Sequence, residues 1–231
     1  MKTVLLIGAG KSATVLIDYL IKEAVNGTWK VVIADVYKEQ VLAKTNHSPL
    51  AEAIAFDVTN DEARSALIKR ADLVISMMPP ALHYLVARAC VKYSKHLLTA
   101  SYLDEKIKAF DAELKKKGLL FLCEMGLDPG IDHMSAMKII EAIKQNDGIV
   151  TSFKSHCGGL VAPESDNNPW HYKISWNPRN VVLAGKAGAE YKLKNQLIHK
   201  DYKELFKNCS EVAVDELPPL AFYPNRDSLS Y

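Results

Sequence analysis

Short aliphatic, β-branched runs alternate with longer stretches of mixed polarity through the first half of the chain. The runs are TVLLIG (3–8), KVVIAD (30–35), AEAIAFD (51–57), ADLVISM (71–77), HLLTA (96–100) and LLFLC (119–123). Each is short and rich in aliphatic and β-branched residues, as expected of a strand. Helical spacing fills the gaps, near 11–24, 38–46, 60–69, 81–93 and 104–117. In 81–93, Leu82, Leu85, Val86, Ala89 and Cys90 recur at intervals of three and four, which puts them on one buried stripe. The 104–117 stretch opens on Asp104 and Glu105, ends in three lysines and stops at Gly118, so its charges complement the helix dipole.

Strands that alternate with helices predict βαβ units and a parallel sheet. The expected fold is α/β: a Rossmann-type doubly wound parallel sheet over residues 1–123, followed by the start of an α+β substrate domain over 124–231. The texture changes near residue 124. A turn-rich GLDPGID leads into one further helix at 132–146. Then come a strand-like stretch (149–156), a Gly/Pro/Asn-rich loop (158–169) and mixed short elements to Tyr231. No internal repeat or low-complexity segment interrupts this order.

Composition narrows the function classes. The 231 residues are 48% hydrophobic and 24% charged, and 29 Lys+Arg against 27 Asp+Glu leave a net charge of 29 − 27 = +2. That field is too weak to argue for a nucleic-acid partner. No apolar run approaches the roughly 18 residues of a membrane span. Gly8 interrupts the N-terminal apolar stretch too early for a signal peptide. Cys90, Cys123, Cys157 and Cys209 are spaced 33, 34 and 52 residues apart, which suits neither a metal site nor a dense disulfide framework. A cytoplasmic enzyme without a metal is expected.

Gly8-Ala9-Gly10-Lys11-Ser12-Ala13 follows the first strand and opens the first helix. In that context GxGxxA is a dinucleotide fingerprint. The first Gly permits a tight turn, the second lets backbone approach a pyrophosphate, and Ala keeps helix and strand close. Lys11 stands where a small or apolar residue is expected and adds positive charge there. Asp35 ends the second strand, where a carboxylate accepts from ribose hydroxyls and repels a 2′-phosphate; the expected cofactor is NAD, with NADP less favoured. The alternative for Asp35 is a solvated turn residue. Asp57 and Val58 close the third strand near the adenine edge, though an Asp there also caps helices. Met77, Met78, Pro79 and Pro80 follow the fourth strand and would face the cofactor at the switch point.

Five segments carry a family resemblance: LVISMMPPALHYLVARAC (73–90), TASYL (99–103), EMGLDPGIDHMSAMKII (124–140), the long run 155–185 beginning SHCGGLVAPES, and YPNRDS (223–228). In this order they resemble the saccharopine dehydrogenases of the glutamate-forming class, also called saccharopine reductases. The resemblance implies a nicotinamide-binding domain joined to a substrate domain; separately, an unfinished second-domain sheet would expose an edge and apolar surface, so a homodimer is expected. The resemblance also implies oxidative cleavage of saccharopine to glutamate and 2-aminoadipate 6-semialdehyde, or the reverse, in lysine metabolism. It places Ser101, Tyr102, Asp128 and Arg226 against substrate, and Ser101, Leu127, Asp128 and Pro129 beside the cofactor. Arg226 would grip a carboxylate with two prongs.

The chemistry needs a proton-transfer group, for which Tyr102, Asp128 and Cys157 are the candidates. Asp128 is expected to position or deprotonate the amine, with Tyr102 assisting. His133 and His156 flank the same motifs and suit loop orientation equally well. Members of the family continue beyond YPNRDS, so a fragment or a naturally shortened form is expected. Two further readings stay open: a cofactor-binding module without turnover, and a carboxy-polyamine reductase.

Overall fold

The computed structural model describes residues 1–27, 29–173, 183, 186 and 188–229. Within the 155–185 motif, residues 174–182, 184 and 185 lie outside the described residues, as does Tyr231. The chain forms two compact units, Met1–Val150 and Thr151–Tyr231.

The first unit alternates strand and helix in the predicted order. Its strands are β1 (Lys2–Ile7), β2 (Trp29–Asp35), β3 (Ala51–Ala55), β4 (Leu73–Ser76), β5 (His96–Thr99) and β6 (Phe121–Leu122). Its helices are α1 (Thr14–Asn26), α2 (Lys38–Thr45), α3 (Asp61–Arg70), α4 (Pro80–Tyr93), α5 (Glu105–Lys108), α6 (Asp111–Lys117) and α7 (Ile131–Gln145). All six strands pair in parallel, in the order β3-β2-β1-β4-β5-β6. The order reverses between β1 and β4, which opens a crevice at the carboxyl ends of those strands.

Each central strand buries both faces. Leu5 and Ile7 of β1 join one core cluster with Leu67 and Ile68 of α3 and Val86 and Cys90 of α4. Val4 and Leu6 join the opposite cluster with Ile17 and Leu20 of α1 and Val41 of α2. This two-sided burial explains why the strands read as continuous apolar runs. The helix ends are set locally. Asn60 caps α3 by accepting from the Ala63 amide at 3.0 Å, and Asp104 caps α5 through Ile107 at 2.8 Å. Gly118 ends α6 in the left-handed region at φ 62°.

The single helix expected at 104–117 is two. At the break the Phe110 amide bonds Ile107 O three residues back, and Phe110 packs on the core with its ring stacked 5.9 Å from Tyr84.

In the second unit, β7 (Ala189–Leu193) and β8 (Gln196–Lys200) form a hairpin, with β11 (Arg226–Asp227) parallel to β7. Its two turn residues, Lys194 and Asn195, both have positive φ, the geometry that matches strand twist. β9 (Ser210–Val212) and β10 (Leu220–Phe222) pair antiparallel, and α8 (Tyr202–Leu205) follows the hairpin. The strand-like stretch at 149–156 is not a strand in the structure, and Ile149 and Phe153 are exposed.

Candidate functional site

The glycine-rich loop begins where β1 ends. Gly8 has φ +99°, and a Cβ there would meet Met77 O at 2.9 Å, so the loop after β4 presses against it and excludes a side chain. A Cβ on Gly10 would meet nothing within 4 Å, which leaves open space over the loop for a bulky ligand. Lys11 and Ser12 are exposed in the short 3-10 turn Lys11–Ala13, and Ala13 is buried against the sheet. The loop thus fits a nucleotide pyrophosphate.

Asp35, at the end of β2, is turned into this loop. One carboxylate oxygen accepts from the Ala9 amide at 2.7 Å and the other from Tyr37 at 3.0 Å. Lys44 of α2 closes over the same loop, its Nζ donating to Ala9 O and Gly10 O at 2.6 Å each. Burial lowers the Lys44 pKa, and the Asp35 charge opposes that shift.

Further along the edge, Asp57 accepts from the Thr59 hydroxyl at 2.7 Å and amide at 2.8 Å, which pulls its pKa down. Val58 is buried, and its carbonyl accepts from the Arg64 guanidinium. Met77 is anchored by its amide to Ile7 O at 2.8 Å.

The segment after β5 carries Ser101 and Tyr102. The Glu124 amide bonds Ser101 O at 3.0 Å, the Met125 amide bonds Thr99 O at 3.1 Å, and the Leu103 amide reaches Glu124 Oε1 at 3.1 Å. These bonds tie the segment to the GLDPG turn that follows β6. Within that turn, Gly126 N–H meets Pro129 O at 2.9 Å and Ile131 N–H meets Gly126 O at 3.0 Å. Gly130 has φ +151°, and a Cβ there would overlap the backbone of Gly126. The Asp128–Pro129 peptide is cis. Leu127 and Asp128 are exposed and Pro129 is buried. The turn brings Asp128 to Tyr102, whose hydroxyl donates to Asp128 Oδ1 at 2.6 Å.

His133 sits at the start of α7 beside Asp132. Asp132 Oδ1 lies 2.8 Å from its Nδ1 and also accepts from the amides of Gly130 and His133.

The remaining candidates belong to the second unit. Cys157 is exposed, and its neighbour His156 stands edge-on to Phe222 at 4.5 Å. Arg226 is exposed at φ 44° in β11, paired with Ala189. Among the described residues no group of three or more His, Cys, Asp or Glu is arranged to hold a metal, and no helix is long and apolar enough to cross a membrane.

Two family models cover nearly the whole chain. The one described as saccharopine dehydrogenase NADP binding domain matches residues 4–122, and the saccharopine dehydrogenase C-terminal domain matches 126–231. The chain belongs to the saccharopine dehydrogenase family. The NADP(+), L-glutamate-forming saccharopine dehydrogenase of Schizosaccharomyces pombe is 36% identical over 233 residues, covering 100% of this chain and 51% of that protein. Alpha-aminoadipic semialdehyde synthase of Arabidopsis thaliana is 40% identical over 203 residues, 87% of this chain and 19% of that protein. The apo L-Glu-forming saccharopine dehydrogenase of Saccharomyces cerevisiae superposes with TM-score 0.88 at 34% identity, covering 99% of this chain and 50% of that one. The chain spans about half the length of the yeast relatives it matches.

The expectation of NAD is corrected. The saccharopine dehydrogenase domain matching 4–122 is an NADP-binding one, and the yeast relatives carry NADP(+) in their names. The physical reason lies in Asp35. Read as a free carboxylate it would repel a 2′-phosphate; in the fold both oxygens are engaged by backbone amides and a lysine cation stands beside it.

His83 was missed by the sequence reading. It is buried in α4 with Nδ1 2.9 Å from Ser76 Oγ and Nε2 2.7 Å from Ser101 Oγ. Burial depresses its pKa to about 4, against a smaller opposing pull from Asp104. A signal existed: 83, 86, 87 and 90 share one helical stripe, and a histidine in register with buried Val86, Ala87 and Cys90 needs polar partners.

Proposed function

We propose that this chain carries the dehydrogenase site of an NADP-dependent, glutamate-forming saccharopine dehydrogenase. In this reading saccharopine is cleaved oxidatively to glutamate and 2-aminoadipate 6-semialdehyde, or formed from them. NADP, when bound, supplies the hydride acceptor. The glycine-rich loop offers it open space at Gly10 and the Ala9–Lys44 contacts that hold the loop in place.

The observation that carries the reading is the Tyr102–Asp128 pair. Loss of hydride from a carbon bearing a secondary amine requires the amine nitrogen to give up its proton. Asp128 is the acceptor in this reading. The Tyr102 hydroxyl, donating to one carboxylate oxygen, orients the other toward the amine and steadies the charge. Water then adds to the substrate imine, and the same pair returns a proton to the departing amine. The resemblance alone assigns Arg226 a two-pronged contact with a substrate carboxylate and keeps Cys157 as a candidate for proton transfer; both lie in the second unit.

The test is absorbance of reduced nicotinamide on adding saccharopine to the purified chain, with NADP and NAD in parallel. Saccharopine-dependent reduction of NADP is expected. Cofactor binding without reduction would refute turnover by this chain and favour a nucleotide-binding module.

A further inference from the structure

The hydroxyl groups around His83 determine which of its nitrogens carries the proton. Ser76, the last residue of β4, is fully buried, and among the described residues its Oγ has one hydrogen-bond partner, His83 Nδ1 at 2.9 Å. A buried hydroxyl proton without an acceptor is costly. A neutral imidazole has one donor nitrogen and one acceptor. If Nδ1 carried the proton it would donate to Ser76, and the Ser76 proton would have no acceptor. Nδ1 therefore accepts, which leaves Nε2–H as the donor. Its partner at 2.7 Å is Ser101 Oγ. Thr99 steadies the same residue from another side: its Oγ1 accepts the Ser101 amide at 3.2 Å and lies 3.3 Å from each ring nitrogen.

We propose that His83 is a positioning residue: its Nε2–H fills a lone pair of Ser101 Oγ from the core side and turns the Ser101 hydroxyl proton outward as a donor to an oxygen of the bound ligand. Ser101 is half-buried just past the carboxyl end of β5, the neighbour of β4 in the sheet, and next to Tyr102. The ligand oxygen is an uncharged carboxamide or a carboxylate; assigning it to the nicotinamide cofactor or the amino-acid substrate rests on the function proposed above. The tautomer does not.

The test has two parts. In 15N-labelled protein near neutral pH, ring-proton correlations assigned by their loss in His83→Gln should show His83 with a protonated Nε2 and a bare Nδ1. The opposite pattern overturns the proposal, whether or not the chain turns over saccharopine. In the second part, cofactor titrations and steady-state kinetics compare Ser101→Ala, His83→Leu and His83→Gln. Ser101→Ala should weaken one ligand about tenfold. A raised cofactor Kd identifies the carboxamide; a raised KM for saccharopine at constant cofactor Kd identifies the substrate carboxylate. His83→Leu should lose as much, His83→Gln, whose amide both donates and accepts, should retain most of the binding, and His83→Leu should add nothing in the Ser101→Ala background. Unchanged affinities in Ser101→Ala, or equal losses in His83→Leu and His83→Gln, overturn the proposal. If His83→Leu does not fold, the tautomer measurement and the remaining variants decide it.

Discussion

Acidification should destabilise the first unit through His83, and the size of the effect follows from its burial. The imidazole sits in the core with a pKa of about 4, against 6.5 for an ordinary histidine. Its folded pKa lies below the unfolded one, so between pH 6.5 and 4 the unfolded chain binds the proton and the folded chain does not. Stability from this group is complete above 6.5 and falls as the pH drops toward 4, below which both states are protonated and the loss levels off. A shift of that span corresponds to roughly 3 kcal/mol at 1.36 kcal/mol for each pH unit. Asp57 and Asp72, whose pKa values are lowered by hydrogen bonds to the backbone and side chains beside them, also lose stabilising contacts in acid. They are common to the wild type and to His83→Gln, whose amide does not titrate. Denaturant unfolding followed by circular dichroism at pH 7, 6, 5 and 4 should therefore show the wild-type advantage over His83→Gln shrinking by roughly 3 kcal/mol. Parallel pH profiles for the two proteins would refute the reasoning, because they would mean that His83 titrates alike in both states.

Gly130→Ala should destabilise the chain by about 2 kcal/mol or more in the same unfolding assay, since its φ of +151° and the overlap with Gly126 leave no room for a methyl group; an unchanged midpoint would show that the turn adapts. Lys44→Met removes two donors from the carbonyls of the glycine-rich loop and should weaken NADP about tenfold by fluorescence titration; equal affinity would exclude that bracing role. Asp128→Asn should reduce saccharopine turnover by about 100-fold. Full activity with an unchanged pH profile would remove Asp128 as the proton acceptor.

The fold was legible because its strongest signals are local. Strands β1, β2 and β4 are buried on both faces, so Leu5, Leu6, Val32, Ile33 and Val74 announce them without any knowledge of their neighbours. The stop at Gly118 is legible for the same reason. Failure came where a segment depends on distant partners. Residues 149–156 look strand-like in isolation, but a strand exists only if another pairs with it, and Ile149 and Phe153 stay exposed. At 104–117 the charge pattern spans the whole stretch, yet the inward packing of Phe110 breaks it in two. The approach of Tyr102 to Asp128, 26 residues on, likewise depends on the loops around β5 and β6.

Asp35 and His83 show why the chemistry of a polar residue is harder to read than its position. The place of Asp35 at the end of β2 follows from the apolar run before it. Its effect on a 2′-phosphate depends on whether its oxygens face outward, and the amides of Ala9 and Tyr37 occupy them. A carboxylate whose oxygens accept from the amides of a glycine-rich loop keeps its charge, but its lone pairs are engaged and the Lys44 ammonium nearby offsets part of its field. His83 is the converse. Its sequence neighbours mark it as an ordinary member of a buried helical face, and only Ser76 on β4 and Ser101 beyond β5 give that position a polar role. In both cases three segments meet, each ending at the carboxyl edge of the sheet or starting beside it. The doubly wound topology gathers those ends, so the residues least legible alone are concentrated where the fold brings separate strand ends together.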